Sequence, residues 1–105
     1  MANYLLVYKG QGTPPASEEE GKKVMEAWIG WFGSMGEAVV DGGNPTAGSK
    51  TVASNGAVSD GAPSDISGYS VLKADSLDAA ATLAKGCPHL ASGGSVEVYE
   101  TFDPM

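Results

Sequence analysis

Hydrophobic positions along the chain follow strand spacing and helix spacing in turn. Residues 3–8 form a nearly continuous apolar run, which is typical of a central strand covered on both faces. Ser17 followed by Glu20 has the spacing of a capping box and predicts a helix from about Glu18 to Met35. Trp28 lies in the middle of its apolar arc, so we expect burial against a sheet. The rest of the arc comprises Val24, Met25, Phe32 and Met35, with Ile29 and Trp31 at the two edges.

The second half of the chain repeats the alternation. Residues 38–41 predict a short strand, and residues 50–54 and 57–59 flank Asn55-Gly56, a strong hairpin signal. Residues 69–74 alternate with a period of two, as a strand does. A helix is predicted over residues 77–85, preceded by Asp75-Ser76, both good N-caps, and ended by Gly86. The last strand covers Ser95–Glu100, and a loop joins it to the preceding helix.

The order β-α-β-hairpin-β-α-β predicts the fold class. It is that of a ferredoxin-like α+β domain with an inserted hairpin. With 105 residues the chain is long enough for one domain, residues 1–105, and too short for two. A hydrophobic content of 42% supports a packed core.

Composition excludes several classes of function. The net charge is −7 and the chain contains no arginine, so a nucleic-acid partner is not expected. A single cysteine rules out an internal disulfide and fits a reducing cytoplasm, where we expect the protein to reside. No apolar run approaches about 18 residues, so no membrane span is predicted. The N-terminus has no pattern of a secretory signal.

Several short motifs occur in a defined order along nearly the whole chain. They are YLLVYKG, the Trp28-bearing helix, Asp41-Gly42, Asp60-Gly61, GYSVLKADSLDAAATLAKGCP and GGSVEVYE. In this order the chain resembles the DGPF-type branch of the YCII-related family. The resemblance implies a homodimeric α+β barrel in which two ferredoxin-like sheets face each other. It implies less about activity, because most such proteins have no assigned reaction.

Two departures from the family pattern bear on function. The signature stands here as Asp60-Gly61-Ala62-Pro63, which keeps the Asp-Gly turn and lacks the phenylalanine. Some relatives carry a histidine early in the first helix, paired with an aspartate, for which acid–base chemistry was proposed. Residues 18–35 contain no histidine, so that dyad does not transfer to this chain.

His89, Asp60 and Asp41 are the candidate catalytic residues. His89 is the only histidine, and an imidazole can serve as general acid or base near neutral pH. Asp41 and Asp60 follow strands and precede glycine, as carboxylates at the rim of a pocket do. In the ordinary alternative, His89 bonds a nearby carbonyl or faces solvent, and both aspartates are turn residues. If an acid–base pair exists, we expect it to be His89 with Asp60.

Trp28, Trp31 and Tyr69 are the candidate ligand-binding residues. They could line a cleft, although aromatic residues at helical or strand spacing are more often core. Cys87 lies near a helix C-terminus, which disfavours a thiolate. The glycines at positions 10, 12, 42 and 43 lack phosphate-binding fingerprints, and no His/Cys cluster indicates a metal, so no cofactor is predicted.

Three interpretations of function follow. The preferred one is binding of a small molecule in a dimer cleft. The alternatives are a cofactor-independent enzyme with an Asp/His pair, and a purely structural or interaction dimer. Homodimerisation is expected because the first strand is apolar on both faces, while helices in this fold cover one face only.

Overall fold

Strands and helices alternate along the chain in the predicted order. The computed structural model describes residues 2–11 and 15–104, so residues 12–14 of the loop after the first strand, Gly12 among them, lie outside the described residues. The strands are β1 (Ala2–Lys9), β2 (Val39–Asp41), β3 (Lys50–Val52), β4 (Val58–Asp60), β5 (Ile66–Ala74) and β6 (Ser95–Glu100). The helices are α1 (Glu18–Met35), α2 (Leu77–Ala84) and α3 (Pro88–Ala91), and a 3-10 turn covers Gly36–Ala38.

Four strands form one antiparallel sheet in the order β2-β5-β1-β6. β1 lies in its centre, where Leu6 pairs with Ser70 on one side and with Val98 on the other. Numbered without the hairpin, this order is the one found in ferredoxin-like domains. The predicted fold class is therefore confirmed. β3 and β4 form a separate two-stranded sheet around the predicted Asn55-Gly56 turn.

The core lies between the sheet and the helices. Side chains alternate along β1, so that Tyr4, Leu6 and Tyr8 point toward the helices and are buried. α2 begins where the Ser76 hydroxyl accepts the Ala79 N–H. Its small buried side chains let the helix lie close to the sheet. The buried hydrophobic cluster comprises Tyr4, Leu6, Tyr8, Trp31, Leu72, Ala74, Ala80, Ala84 and Cys87.

α1 has the predicted bounds and the predicted capping box. The Ser17 hydroxyl accepts the Glu20 N–H, and the Glu20 carboxylate accepts the Ala16 N–H at 2.9 Å. The predicted centre of its buried face is wrong. Trp31 is 7% exposed, whereas Trp28 is half-buried and Ile29 is 69% exposed.

The position of Trp31 under α2 explains the difference. Its indole Nε1–H donates to the Leu83 carbonyl at 3.1 Å, and Gly86 lies against the indole ring. The helix wheel ranks positions by spacing alone, and contacts with the end of another helix rotate the buried face toward Trp31.

The centre of the opposite face of the sheet is apolar, and none of the described helices packs on it. Leu5 faces Val71 on β5 and Tyr99 on β6, and all three point away from the helices. Leu5 and Val71 are half-buried, and Tyr99 is 49% exposed. This open face matches the predicted need for a cover. Within residues 2–11 and 15–104, no helix is both long and apolar enough to cross a bilayer.

The segment around His89 is helical, and the prediction of a loop there is wrong. α3 begins directly after Cys87, with Pro88 as its first residue. Proline is favoured at this position because its missing N–H has no partner in a first turn and its φ angle already suits a helix. The short helix places His89 against the end of β1, as described below.

Candidate functional site

A cavity of about 360 Å³ lies beside α1, on the helix-bearing side of the sheet. It is built by one chain, from α1, the start of β5, the segment after β2 and α3. Its volume is at the lower end of the range for small-molecule pockets. The lining residues are Tyr8, Met25, Trp28, Phe32, Gly42, Gly43, Asn44, Pro45, Ser67, Gly68, Tyr69 and His89.

Aromatic rings form one wall of this cavity. The Tyr8 and Trp28 ring centres are 5.1 Å apart with planes at 78°, an edge-to-face arrangement. Phe32 lies 5.9 Å from Trp28 with the planes 35° apart. The His89 ring is 5.8 Å from that of Tyr8. Spacing on α1 brings Trp28 and Phe32 together, since residues four apart share a helix face.

The segment after β2 forms the second wall and is held against β5. The Tyr69 N–H donates to the Asn44 carbonyl at 3.3 Å, and Pro45 and Gly68 form an isolated antiparallel β-bridge. Gly43 has φ +73°, and a Cβ there would overlap the Tyr69 carbonyl oxygen. The wall therefore depends on backbone-to-backbone approach at a glycine.

A chain of hydrogen bonds links Tyr8 to this wall. The Ser70 hydroxyl donates to the Gly42 carbonyl at 2.7 Å and accepts the Tyr8 hydroxyl proton at 2.6 Å. This direction follows because serine has one proton and a carbonyl can only accept. Burial raises the pKa of Tyr8 to about 12, so its hydroxyl stays protonated at neutral pH. Tyr8 thus presents its ring to the cavity while its proton is bound elsewhere.

His89 is 8% exposed and is held through one ring nitrogen. Its Nε2 lies 2.7 Å from the Lys9 carbonyl oxygen. Because that oxygen is an acceptor, Nε2 carries the proton, and in the neutral ring Nδ1 is an acceptor. Gly94 packs on the Nε2 edge, where a Cβ would overlap the imidazole. Among the described residues, no protein group bonds Nδ1, and because no buried side-chain nitrogen or oxygen there lacks a partner, Nδ1 is accessible to solvent.

The predicted ligand-binding residues divide between cavity and core. Trp28 and Tyr69 are among the lining residues, whereas Trp31 is not and bonds the Leu83 carbonyl instead. Trp31 thus belongs to the core, the ordinary alternative for an aromatic residue at helical spacing. Tyr8 was not among the predicted site residues, because its apolar strand indicates burial and not the side of a cavity.

Of the predicted catalytic residues, His89 lines the cavity and the two aspartates do not. The Asp41 carboxylate accepts the Gly43 N–H at 2.8 Å, which helps to hold the wall after β2. The Asp60 carboxylate accepts from the Lys50 ammonium group at 2.6 Å on the hairpin. No Asp, Glu or Lys is among the described lining residues, so the cavity carries no formal charge when His89 is neutral.

Cys87, directly before α3, is buried and free. Burial raises the pKa of its thiol to about 11, which makes a thiolate nucleophile unfavourable near neutral pH. In the part of the chain that the structure describes, His, Cys, Asp and Glu side chains nowhere gather in threes that could hold a metal ion.

Comparison with known proteins finds similarity among solved structures. No family model matches the chain, and no curated protein matches it. The chain is similar to 5-chloro-2-hydroxyhydroquinone dehydrochlorinase from Burkholderia phenoliruptrix, solved in complex with 2,5-dihydroxybenzoquinone. Identity is 17%, 90% of each chain is covered, and the TM-score is 0.49. The ferredoxin-like assignment rests on the strand order described above.

Proposed function

We propose that this protein binds a small, largely apolar molecule in the cavity beside α1. The observation that carries the proposal is a charge-free cavity of about 360 Å³ walled by Tyr8, Trp28 and Phe32. Small-molecule sites combine apolar and aromatic walls with few polar groups. The walls are also fixed before binding, by the Tyr8–Ser70–Gly42 hydrogen bonds and by Asp41. Little ordering is then needed when a ligand enters.

The proposed site is this cavity and not the dimer cleft that the sequence-based interpretation preferred. The cavity is on the helix-bearing side of the sheet, whereas the open apolar face around Leu5 and Val71 is on the other. We propose that the open face pairs with a second copy, as the resemblance to YCII-related proteins implies. Each subunit of such a homodimer would hold its own cavity.

Acid–base catalysis is the alternative function. His89 at the cavity supports it, because an imidazole there could exchange a proton with a bound molecule. A carboxylate partner would have to come from elsewhere, since Asp41 binds the Gly43 N–H and Asp60 binds Lys50. Binding without chemistry needs no such rearrangement, and we therefore prefer it.

Naphthalene is a suitable first probe because it is flat and has no polar group. Titration is followed in ¹H–¹⁵N spectra through the two tryptophan Nε1–H signals. We expect the Trp28 signal to shift more than that of Trp31, whose N–H is bound to the Leu83 carbonyl away from the cavity. Absence of any saturable shift, or the largest shifts on the far side of the sheet, would contradict the proposal.

Two variants of α1 provide a matched comparison. Phe32→Ala removes part of the aromatic wall and should weaken naphthalene binding about tenfold, by loss of one ring contact. Ile29→Ala lies on the exposed side of the same helix and should bind as the wild type does. Equal weakening in both variants would mean that the probe does not occupy this cavity.

A further inference from the structure

We propose that the cavity selects planar aromatic molecules that carry a hydrogen-bond donor, and that Nδ1 of His89 accepts this donor. The inference rests on the proposed binding function and adds the chemical class of the ligand. Phenols and N–H heteroaromatics are the neutral molecules that fit the description. A flat apolar body would lie along the aromatic wall, and its donor would face α3.

The shape of the wall favours a flat ligand. Trp28 and Phe32 stand side by side on α1 with ring planes 35° apart, and Tyr8 meets Trp28 edge to face. A planar ring can add to such a set by offset or edge-to-face contact, which stabilises aromatic pairs beyond simple burial. An aliphatic ligand of equal volume gains burial alone. On the opposite side, the backbone wall at Gly43 is rigid.

The polar groups at the cavity are nearly all bound to protein. The Tyr8 proton goes to Ser70, and the Ser67 hydroxyl donates to the Tyr8 carbonyl. The Gly43 N–H is held by Asp41. Asn44 is exposed and borders the cavity from its solvent side. This leaves Nδ1 of His89, which is accessible to solvent and which no described protein group bonds.

The position of the proton on the His89 ring decides whether the ligand must donate or accept a hydrogen bond. The Lys9 carbonyl fixes the proton on Nε2, so the neutral ring offers a lone pair at Nδ1. A ligand must then supply a hydrogen. A molecule with only acceptors, such as an aryl ether, leaves Nδ1 unpaired when it excludes water, and an unmade buried hydrogen bond is costly. Formal charge on the ligand is disfavoured because no charged side chain is among the described lining residues.

Two probes differing by one methyl group test the inference. 2-Naphthol donates a hydrogen bond and 2-methoxynaphthalene does not, while the fused rings are the same. Calorimetric titration of the wild type should give about tenfold tighter binding of 2-naphthol, as expected for one buried hydrogen bond. In ¹⁵N spectra, 2-naphthol should move the His89 Nδ1 signal toward that of a hydrogen-bonded acceptor, and 2-methoxynaphthalene should not.

His89→Phe is the matched variant, since its ring is flat and of similar size and has no hydrogen-bond acceptor. We expect the preference for 2-naphthol to fall to about twofold or less, while binding of 2-methoxynaphthalene is retained. Gly94→Ala, which forces the imidazole to shift, should also reduce the preference. If His89→Phe fails to fold, the wild-type ¹⁵N result decides.

The outcomes separate this inference from the proposal beneath it. If naphthalene and both naphthyl probes fail to bind the wild type, the proposed binding function is wrong. If the probes bind with equal affinity, or the preference survives unchanged in folded His89→Phe, binding stands and the role of Nδ1 is wrong. An unchanged Nδ1 signal on addition of saturating 2-naphthol would overturn the inference as well.

Discussion

The central sheet and the β3–β4 hairpin reach their structures by different means. In the sheet, Leu6 and Leu72 are fully buried, and α2 packs against β1, β5 and β6. In the hairpin, the facing pair Val52 and Val58 is 67% and 62% exposed. Turn chemistry at Asn55-Gly56 is enough to set the hairpin's register, whereas burial holds the sheet.

This difference predicts in which parts of the molecule a substitution will lower stability most. A two-stranded hairpin alone is marginally stable in water, so its order depends on a cover or on the strength of its turn. Perturbations of the helix-covered layer should therefore cost much stability, and perturbations of the hairpin little. Perturbations of the open face of the sheet should cost an intermediate amount of stability.

Trp31→Ala should have the largest effect. It removes a buried indole and its hydrogen bond to Leu83, and we expect the free energy of unfolding to fall by about 3–5 kcal/mol. Trp28→Ala should cost less, because Trp28 is half-buried at the cavity. Urea denaturation measures both losses. Ile29→Ala is the control, and its free energy of unfolding should stay within about 0.5 kcal/mol of the wild-type value. A larger loss for Trp28→Ala would show that the buried face of α1 is centred where the helix wheel put it.

Val71→Lys tests the open face. We expect the wild type to be a dimer in light scattering at micromolar concentration. A lysine beside Leu5 should raise the dissociation constant about a hundredfold or more, because it places a charge in the apolar contact. Ile29→Lys on the exposed side of α1 should remain dimeric. A monomeric wild type would refute homodimerisation, and the hairpin and open face would then be free surfaces.

Cys87 should make stability depend on pH in the alkaline range. Burial raises its pKa from 9.0 to about 11, so the unfolded state loses this proton first. The stabilisation is fully present below pH 9.0 and is lost as the pH rises to about 11. Between these limits we expect the free energy of unfolding to fall by about 2 kcal/mol more in wild type than in Cys87→Ala. Parallel curves for the two proteins would mean that the thiol is not desolvated.

Asp60→Asn should have the smallest effect. The Lys50–Asp60 ion pair is exposed on the hairpin, and such pairs contribute at most about 0.5–1 kcal/mol. We expect the free energy of unfolding to be unchanged within that margin, and the NMR signals of the His89 ring to match those of the wild type. Altered His89 signals would instead show that Asp60 reaches the cavity, and would support the acid–base alternative.

Much of the fold could be predicted from local signals. The bounds of α1 follow from Ser17 and Glu20 at its start and Gly36 at its end, and all three act as predicted. The hairpin follows from Asn55-Gly56. These signals work because a cap or a tight turn is satisfied within a few residues.

The site could be predicted only in part, because its contacts are remote in sequence. His89 binds the carbonyl of Lys9, 80 positions away, and Tyr8 binds Ser70, 62 positions away. No rule based on residue spacing predicts contacts between residues so far apart in sequence. The start of α3 had a signal in the sequence, since Pro88 comes two positions after Gly86, the predicted stop of the preceding helix, and proline favours the first turn of a new helix.

The close approach at Gly43 and Gly94 also constrains how this sequence can diverge. A side chain at either position would overlap a neighbour, the Tyr69 carbonyl in one case and the His89 ring in the other. At Gly42 and Gly48, by contrast, an added Cβ meets nothing within 4 Å. Homologues that keep the cavity should therefore vary freely at 42 and 48 and retain glycine at 43 and 94. Loss of glycine at 94 together with loss of histidine at 89 would mark a branch that recognises its ligand differently.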